Sequence, residues 1–178
     1  MAGGGPWFLE TARLGFRTWA AGDYDLAWAL WGDPRVTTWI GGPFSPDQVR
    51  GRLAREIETQ EVHGVQYWPV FRGSDGAHVG CCGLRPYRPD EATFELGFHL
   101  CTEHWGNGYA VEAARGVIRH AFGALGCRAL FAGHHPQNTE SMRLLEKLGF
   151  RHTHDELYPP TGLMHPSYLL QPPAGGEG

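Results

Sequence analysis

A glycine turn, Trp105-Gly106-Asn107-Gly108-Tyr109-Ala110, joins two segments of opposite periodicity, and no other stretch of the 178 residues constrains the fold as much. Before it, Thr93-Phe94-Glu95-Leu96-Gly97-Phe98-His99-Leu100 alternates like a half-buried strand. After it, apolar positions 110, 113/114, 117/118, 121 and 125 recur at helical spacing, with Gly126 as the expected stop. The glycines therefore fall between a strand end and a helix start. There the first backbone N–H groups lack internal partners, and the macrodipole adds partial positive charge. Gly106 and Gly108 keep side chains out of the way, so an anion can come close to those amides. No Lys or Arg lies between 104 and 114, so the expectation is that the backbone itself binds the anion. A Gly-x-Gly turn can also be only a turn, and the remaining chain has to decide.

With 42% hydrophobic and 19% charged residues, the chain has the balance of a soluble globule with one sizeable core. A formal charge of -4 argues against a general nucleic-acid binder and suits an amine substrate better than an anionic one. Nothing approaches the ~20 apolar residues of a membrane span. The opening Met-Ala-Gly-Gly-Gly-Pro has no basic segment leading into an apolar run. Cys81, Cys82, Cys101 and Cys127 have no CxxC spacing, and the adjacent pair faces opposite sides of a strand. They read as buried thiols of a reducing compartment, so a cytoplasmic protein is expected.

Residues 1–7 and 171–178 are Gly/Pro-rich and expected to be flexible, leaving one domain at 8–170. Leu14, Phe16 and Thr18 mark a first strand over about 12–18. Asp23 is the expected cap of a helix bearing Leu26, Trp28, Ala29 and Leu30 and ending near Gly32, and Asp33-Pro34 opens a turn or a second small helix. Ser45, Pro46 and Gln48 have capping-box spacing for a helix over about 46–62, with Val49, Leu53, Ile57 and Val62 on its inner face. Strands over 67–72 and 78–87 are joined by Gly73-Ser74-Asp75-Gly76, with an irregularity expected at Pro69. Arg128–Gly133 reads as a short buried strand. Asn138 then caps a helix with Met142, Leu144, Leu145 and Leu148 inward, closed by Gly149. Strands over 150–157 and 163–170 complete the order β-α-α-β-β-β-α-β-α-β-β.

This order, with the glycine turn after the fourth strand, resembles the GNAT superfamily of acyl-coenzyme A-dependent N-acetyltransferases over residues 8–170. Three segments carry the resemblance: Leu9-Glu10-Thr11-Ala12-Arg13-Leu14; Trp105–Ala110 followed by Val111-Glu112-Ala113; and Asn138-Thr139-Glu140-Ser141 with Leu145-Glu146-Lys147-Leu148-Gly149-Phe150. All three are similar to the ribosomal-protein N-terminal (Rim-type) branch. Asn107 departs from the pattern, since a basic residue is frequent there, and His134-His135 stands where small or apolar residues are usual. The resemblance implies an α+β fold: a twisted, mixed, mostly antiparallel sheet of about seven strands, splayed between strands 4 and 5 and flanked by about four helices.

The resemblance also implies site residues. Trp105, Gly106, Asn107, Gly108, Tyr109 and Ala110 would bind the pyrophosphate of acetyl-CoA, and Phe98, His99 and Leu100 would pair with its pantetheine arm as an added strand does. A free N–H there could stabilise the oxyanion formed when an amine attacks the thioester. Asn138 would be both helix cap and cofactor contact. Ser141, one turn on, would protonate the leaving thiolate or position the sulfur. Glu95 is the expected general base, with His99 as the alternative and a plain half-exposed strand residue as the simplest reading. Trp31 and Trp39 flank the loop that closes over substrate in this family. His134-His135 and His152-x-His154 supply too few convergent ligands for zinc, so no metal is expected.

Direct transfer to a primary amine is therefore expected, with no cysteine placed for a covalent acetyl-enzyme. A non-catalytic acetyl-CoA-binding regulatory module is the alternative from another class. A nucleotide-binding domain fits less well, because its glycine turn would follow the first strand of a βαβ unit. At pH 7 about a tenth of an α-amine of pKa near 8 is neutral, against roughly four parts in ten thousand for lysine. A site with one candidate base thus fits a protein or peptide N-terminus, while aminoglycosides, polyamines and amino acids stay open. The sequence also leaves monomer and homodimer open.

Overall fold

The computed structural model describes residues 6–174. Its strands are β1 (Leu9–Glu10), β2 (Leu14–Phe16), β3 (Tyr67–Arg72), β4 (His78–Arg88), β5 (Thr93–Leu100), β6 (Ala129–Gly133), β7 (Arg151–Tyr158) and β8 (Leu163–Leu170). They form one sheet in the order β1-β2-β3-β4-β5-β6-β8-β7. Every pairing is antiparallel except β5 with β6. The helices are α1 (Tyr24–Trp31), α2 (Pro34–Thr37), α3 (Pro46–His63), α4 (Tyr109–Gly123) and α5 (Thr139–Lys147). Compared with the seven strands and four helices expected, the additions are the two-residue β1 and the single turn of α2.

Each face of the sheet buries its own cluster. On one side Phe16, Trp68, Val70, Cys82 and Leu84 pack with Val117 of α4 and Leu145 of α5. On the other, Tyr67 and Cys81 pack with Leu30 and Trp31 of α1 and Val49 and Leu53 of α3. Cys81 and Cys82 thus go to opposite faces, as strand alternation requires, and all four thiols are buried.

The capping box of α3 forms as expected, with Gln48 N–H donating to Ser45 Oγ at 3.2 Å and Ser45 N–H to Gln48 Oε1 at 2.8 Å. Its inner face differs from the apolar pattern. Arg52 and Glu56 are buried beside Val49 and Leu53, while Val62 is 67% exposed. The charged pair turns inward because Glu56 accepts the Tyr67 amide hydrogen, a demand that hydrophobic periodicity does not register. Asp23 does not cap α1 with its side chain; that carboxylate takes Ala20 N–H and both Arg17 guanidinium nitrogens. The bulge expected at Pro69 falls one residue later, between Val70 and Phe71. Helix α4 ends at Gly123, three residues short of Gly126.

The expectation of flexible ends needs one change. Trp7 stacks on Phe71 with ring centroids 5.3 Å apart, so the ordered chain includes it. Residues 1–5 and 175–178 lie outside the described residues.

The functionally decisive feature is where β5 and β6 part. Thr93, Phe94 and Glu95 pair with Ala129, Leu130 and Phe131, and the pairing then stops. From Leu130 onward β6 pairs with β8, while β5 continues along β4 to Leu100. A cleft opens between the diverging strands, floored by the sheet and headed by the glycine turn.

Candidate active site

The cleft encloses about 650 Å³, within the range of small-molecule sites. Glu95, Phe98, His99, Leu100, Trp105, Gly106, Gly108, Tyr109, Ala110, Asn138 and Ser141 all line it. Residues up to 46 positions apart in the chain therefore meet at one surface. Asn107 does not line it. Its side-chain amide turns back to donate to the His104 and Trp105 carbonyls, both at 3.1 Å, and so braces the turn.

Gly106 and Gly108 both have φ of +76°, the left-handed region that suits glycine. The first backbone bond of α4 is Glu112 N–H to the Gly108 carbonyl at 3.2 Å, so the amides of Tyr109, Ala110 and Val111 have no partner within the helix. A β-carbon at Gly106 would meet nothing within 4 Å. Open space beside unpartnered amides at a helix start suits an anionic group.

Sequence reasoning missed what holds this loop from behind. Arg13, 94 residues away, donates from Nη1 to the Asn107 carbonyl at 3.0 Å and from Nε to Glu112 at 2.6 Å. Its guanidinium lies 4.6 Å over the Tyr109 ring. Thr11 Oγ1 and the Arg13 amide also donate to Glu112, at 2.6 and 2.7 Å. Burial alone would raise the Glu112 carboxyl, but these hydrogen bonds outweigh it and hold the group below its ordinary pKa. The loop thus has a cation at its back, neutralised by Glu112. The only hint was that Thr11-Ala12-Arg13 and Glu112 lie in two of the three family-like segments.

Asn138 Oδ1 accepts Ser141 N–H at 3.2 Å, the cap expected for α5. That bond directs Nδ2 toward Ser141 Oγ, where it donates at 3.0 Å. The serine oxygen is held, and its own proton stays free for an acceptor in the cleft. Asn138→Ala should therefore lower the unfolding free energy by ~1 kcal/mol through the lost cap, and weaken the acetyl-CoA complex. Ser141→Ala should reduce turnover with an almost unchanged Tm. Thermal melts and steady-state rates on the two variants separate these effects.

At the far end of the cleft sits Glu95, beside Gly97 and His99 on the same strand face. Burial raises its carboxyl pKa; Arg85 and Arg52 oppose the rise, Glu156 adds to it, and the net shift is upward. Gly97 is required here, because a β-carbon would overlap the Tyr67 ring that packs against the strand. His99 is anchored differently: Trp31 Nε1–H donates to its Nδ1 at 3.1 Å. Nδ1 is then the acceptor, and the neutral ring carries its proton on Nε2. Burial holds its pKa well below the usual range, and the charges of Arg52 and Arg85 push the same way. Of the two tryptophans expected to flank a substrate loop, Trp31 is fully buried in this bond, whereas Trp39 lines the cleft, its ring tilted against His135 with centroids 4.9 Å apart.

The histidine pair has local structural work. His134 lies 2.7 Å from the His135 carbonyl through Nδ1 and 3.0 Å from Tyr168 Oη through Nε2. His135 Nδ1 accepts Gln137 N–H at 3.1 Å. His154 Nε2 contacts Glu156 at 2.8 Å, and Tyr87 also donates to that carboxylate. Among the described residues no three His, Cys, Asp or Glu side chains are grouped to hold a metal, and no helix is long and apolar enough to cross a membrane.

Residues 13–151 match the family model of the acetyltransferase (GNAT) domain. The chain is similar to an uncharacterized N-acetyltransferase of Bacillus licheniformis, 29% identical over 146 residues, covering 80% of this chain and 82% of that one. An acetyltransferase structure from Agrobacterium tumefaciens superposes with a TM-score of 0.77 at 27% identity, over 92% of this chain and 94% of the other. The ribosomal-protein-S5-alanine acetyltransferase of Vibrio fischeri gives 0.70 at 18% identity, over 91% and 94%. At that identity the likeness is one of fold. A match running from Arg13 through the glycine turn and past Ser141 carries more than fold, and by it this chain belongs to the GNAT acetyltransferases, the family that takes its acetyl group from acetyl-CoA.

Proposed function

We propose that the enzyme acetylates the α-amine of a protein or peptide N-terminus by direct transfer, as in the ribosomal-protein branch it resembles. The observation that carries this reading is Glu95: a carboxylate lining the cleft where β5 and β6 diverge, with its pKa raised chiefly by burial. A raised carboxyl is a better base than a solvated one, though still a weak one. It suits an amine already a tenth neutral near pH 7 better than a lysine. Glu156 also lines the cleft, but Tyr87 and His154 already occupy it.

Bound acetyl-CoA supplies a thioester carbonyl. The amides of Tyr109, Ala110 and Val111 hold the pyrophosphate, and the edge of β5 beyond Glu95 holds the pantetheine arm. Glu95 takes a proton from the incoming ammonium, directly or through a water. An N–H near Phe98–Leu100 stabilises the negative charge that develops on the carbonyl oxygen. As the carbon–sulfur bond breaks, Ser141, with its oxygen fixed by Asn138, turns its hydroxyl proton to the departing sulfur and is reprotonated by the second proton that the nitrogen loses on becoming an amide; the thiol pKa of about 8.5 makes modest help sufficient. His99 is a groove wall in this scheme, because its one unprotonated nitrogen is held by Trp31.

A free-thiol release assay with acetyl-CoA and a panel of peptides, lysine-blocked proteins, amino acids, polyamines and aminoglycosides tests the acceptor. The highest kcat/KM is expected for α-amines. A clear preference for lysine side chains, polyamines or aminoglycosides would refute the reading.

A further inference from the structure

At the acceptor end of the cleft two guanidiniums share one ion-paired carboxylate. Glu56 is fully buried and both its oxygens are committed inside the protein. Oε2 accepts Tyr67 N–H at 2.8 Å, while Oε1 accepts from Arg52 Nε at 3.1 Å and Arg85 Nη2 at 2.5 Å. One carboxylate thus serves two guanidiniums. Arg52 is only 9% exposed, and its Nη2 has no hydrogen-bond partner among the described residues. The faces of Trp31 and Tyr67, 4.8 and 5.7 Å away, favour its charge but accept no conventional hydrogen bond. Arg85 lies 4.2 Å over the Tyr67 ring, and its side chain keeps a third of its surface exposed. Both arginines line the cleft together with Glu95 and Glu156.

We propose that the acceptor carries a carboxylate within a few bonds of its α-amine, received by the free edge of Arg85 with the charge of Arg52 behind it, while the ammonium faces Glu95. This rests on the α-amine part of the reading above: an acidic first residue narrows it, and a free amino acid would replace the peptide as acceptor. Arg52, Arg85 and Glu56 together leave one positive charge, which one carboxylate matches; a phosphate dianion beside Glu95 and Glu156 exceeds it. The proton that Glu95 takes comes from the acceptor's own ammonium, so the net charge of the site does not change, and the acceptor carboxylate balances the arginine pair before and after the transfer. Arginine's planar fork suits a carboxylate held at two points. The carboxylate can come from an acidic first residue of a peptide or from the α-carboxylate of a free amino acid.

The test compares matched acceptors on the wild-type enzyme at saturating acetyl-CoA: Glu- against Gln-initiated and Asp- against Asn-initiated peptides, then free amino acids against their carboxamides. The carboxylated member of at least one set should show about tenfold higher kcat/KM or more, and the set that shows it identifies the source. In Arg85→Gln that ratio should collapse toward one, and Arg85→Lys, which keeps charge without the fork, should retain part of it. Acetyl-CoA affinity and Tm report whether each variant is folded; if Arg85→Gln is not, the wild-type comparison and Arg85→Lys still decide. Equal rates within every set overturn the carboxylate site and leave the α-amine reading standing. A preference unchanged in Arg85→Gln and Arg85→Lys overturns the assignment to Arg85. Acetylation confined to lysines or polyamines overturns both.

Discussion

Glu95→Gln should lower kcat by about 10²–10⁴-fold, the usual range for general-base catalysis, or roughly 3–5 kcal/mol of barrier. The substitution keeps the shape of the side chain and its place on β5, so the Kd for acetyl-CoA should hardly move. Stability gives an independent check. Burial raises the carboxyl pKa of Glu95, so the native state holds that proton more tightly than the unfolded chain. The stabilisation linked to the group is fully present below the unfolded pKa of ~4.3 and is lost as pH rises through the higher folded value. The Gln variant escapes that loss, so near pH 7.5 it should melt at or above the wild-type Tm. Wild-type activity should rise with pH as Glu95 deprotonates, although the amine's own ionisation shapes the same limb. A near-wild-type kcat for Glu95→Gln on the true acceptor would remove Glu95 as the base. Weaker acetyl-CoA binding with kcat intact would make it a support of the groove.

Gly108→Glu should weaken acetyl-CoA binding by about a hundredfold or more. Two effects combine. A residue with a β-carbon at φ +76° costs roughly 1–2 kcal/mol, which the turn can relieve only by shifting the amides that follow it. The new carboxylate also adds a negative charge to the turn, within about 8 Å of a pyrophosphate held there, where like charges repel by roughly 2 kcal/mol at an effective dielectric near 20. A β-carbon at 108 would lie 3.6 Å from Arg13 Nη2, so the new carboxylate also draws that guanidinium from the Asn107 carbonyl. Calorimetric titration of acetyl-CoA checks this, with circular dichroism to establish that the variant is folded. An unchanged Kd would mean that the anion binds elsewhere.

Strand periodicity, the Ser45 box, the Asn138 cap and the glycine turn were legible because each is a local matter, decided by residues within a few positions. The family-like segments then gave the topology and the splay. The residues that furnish the two ends of the cleft were not legible. Arg13 reaches the glycine turn across 94 residues, and Arg52 and Glu56 are not among the apolar positions that mark the inner face of α3 in the sequence. Their inward turn depends on Arg85 and on the Tyr67 amide, partners that only the folded sheet supplies. The local role of the Asn107 side chain, which donates to two carbonyls of its own turn, was also not legible from its position there. The sequence prefers Glu95 to His99 on resemblance alone; that Trp31, 68 residues away, occupies His99 Nδ1 could not be read from it.

The clasp of Thr11 and Arg13 on Glu112 also sets a timetable for synthesis. The first strands of the sheet emerge from the ribosome about a hundred residues before the helix they fasten, so this closure is costly in loop entropy and comes late. Until then the glycine turn has only its local Asn107 brace, and the growing chain gains nothing from acetyl-CoA. The cosubstrate can stabilise only a nearly finished molecule, because Asn138 and Ser141 follow later still. Nascent chains of this enzyme should therefore be protected by other means through most of translation, and ligand-dependent resistance to proteolysis should arise abruptly, once α5 is clear of the exit tunnel.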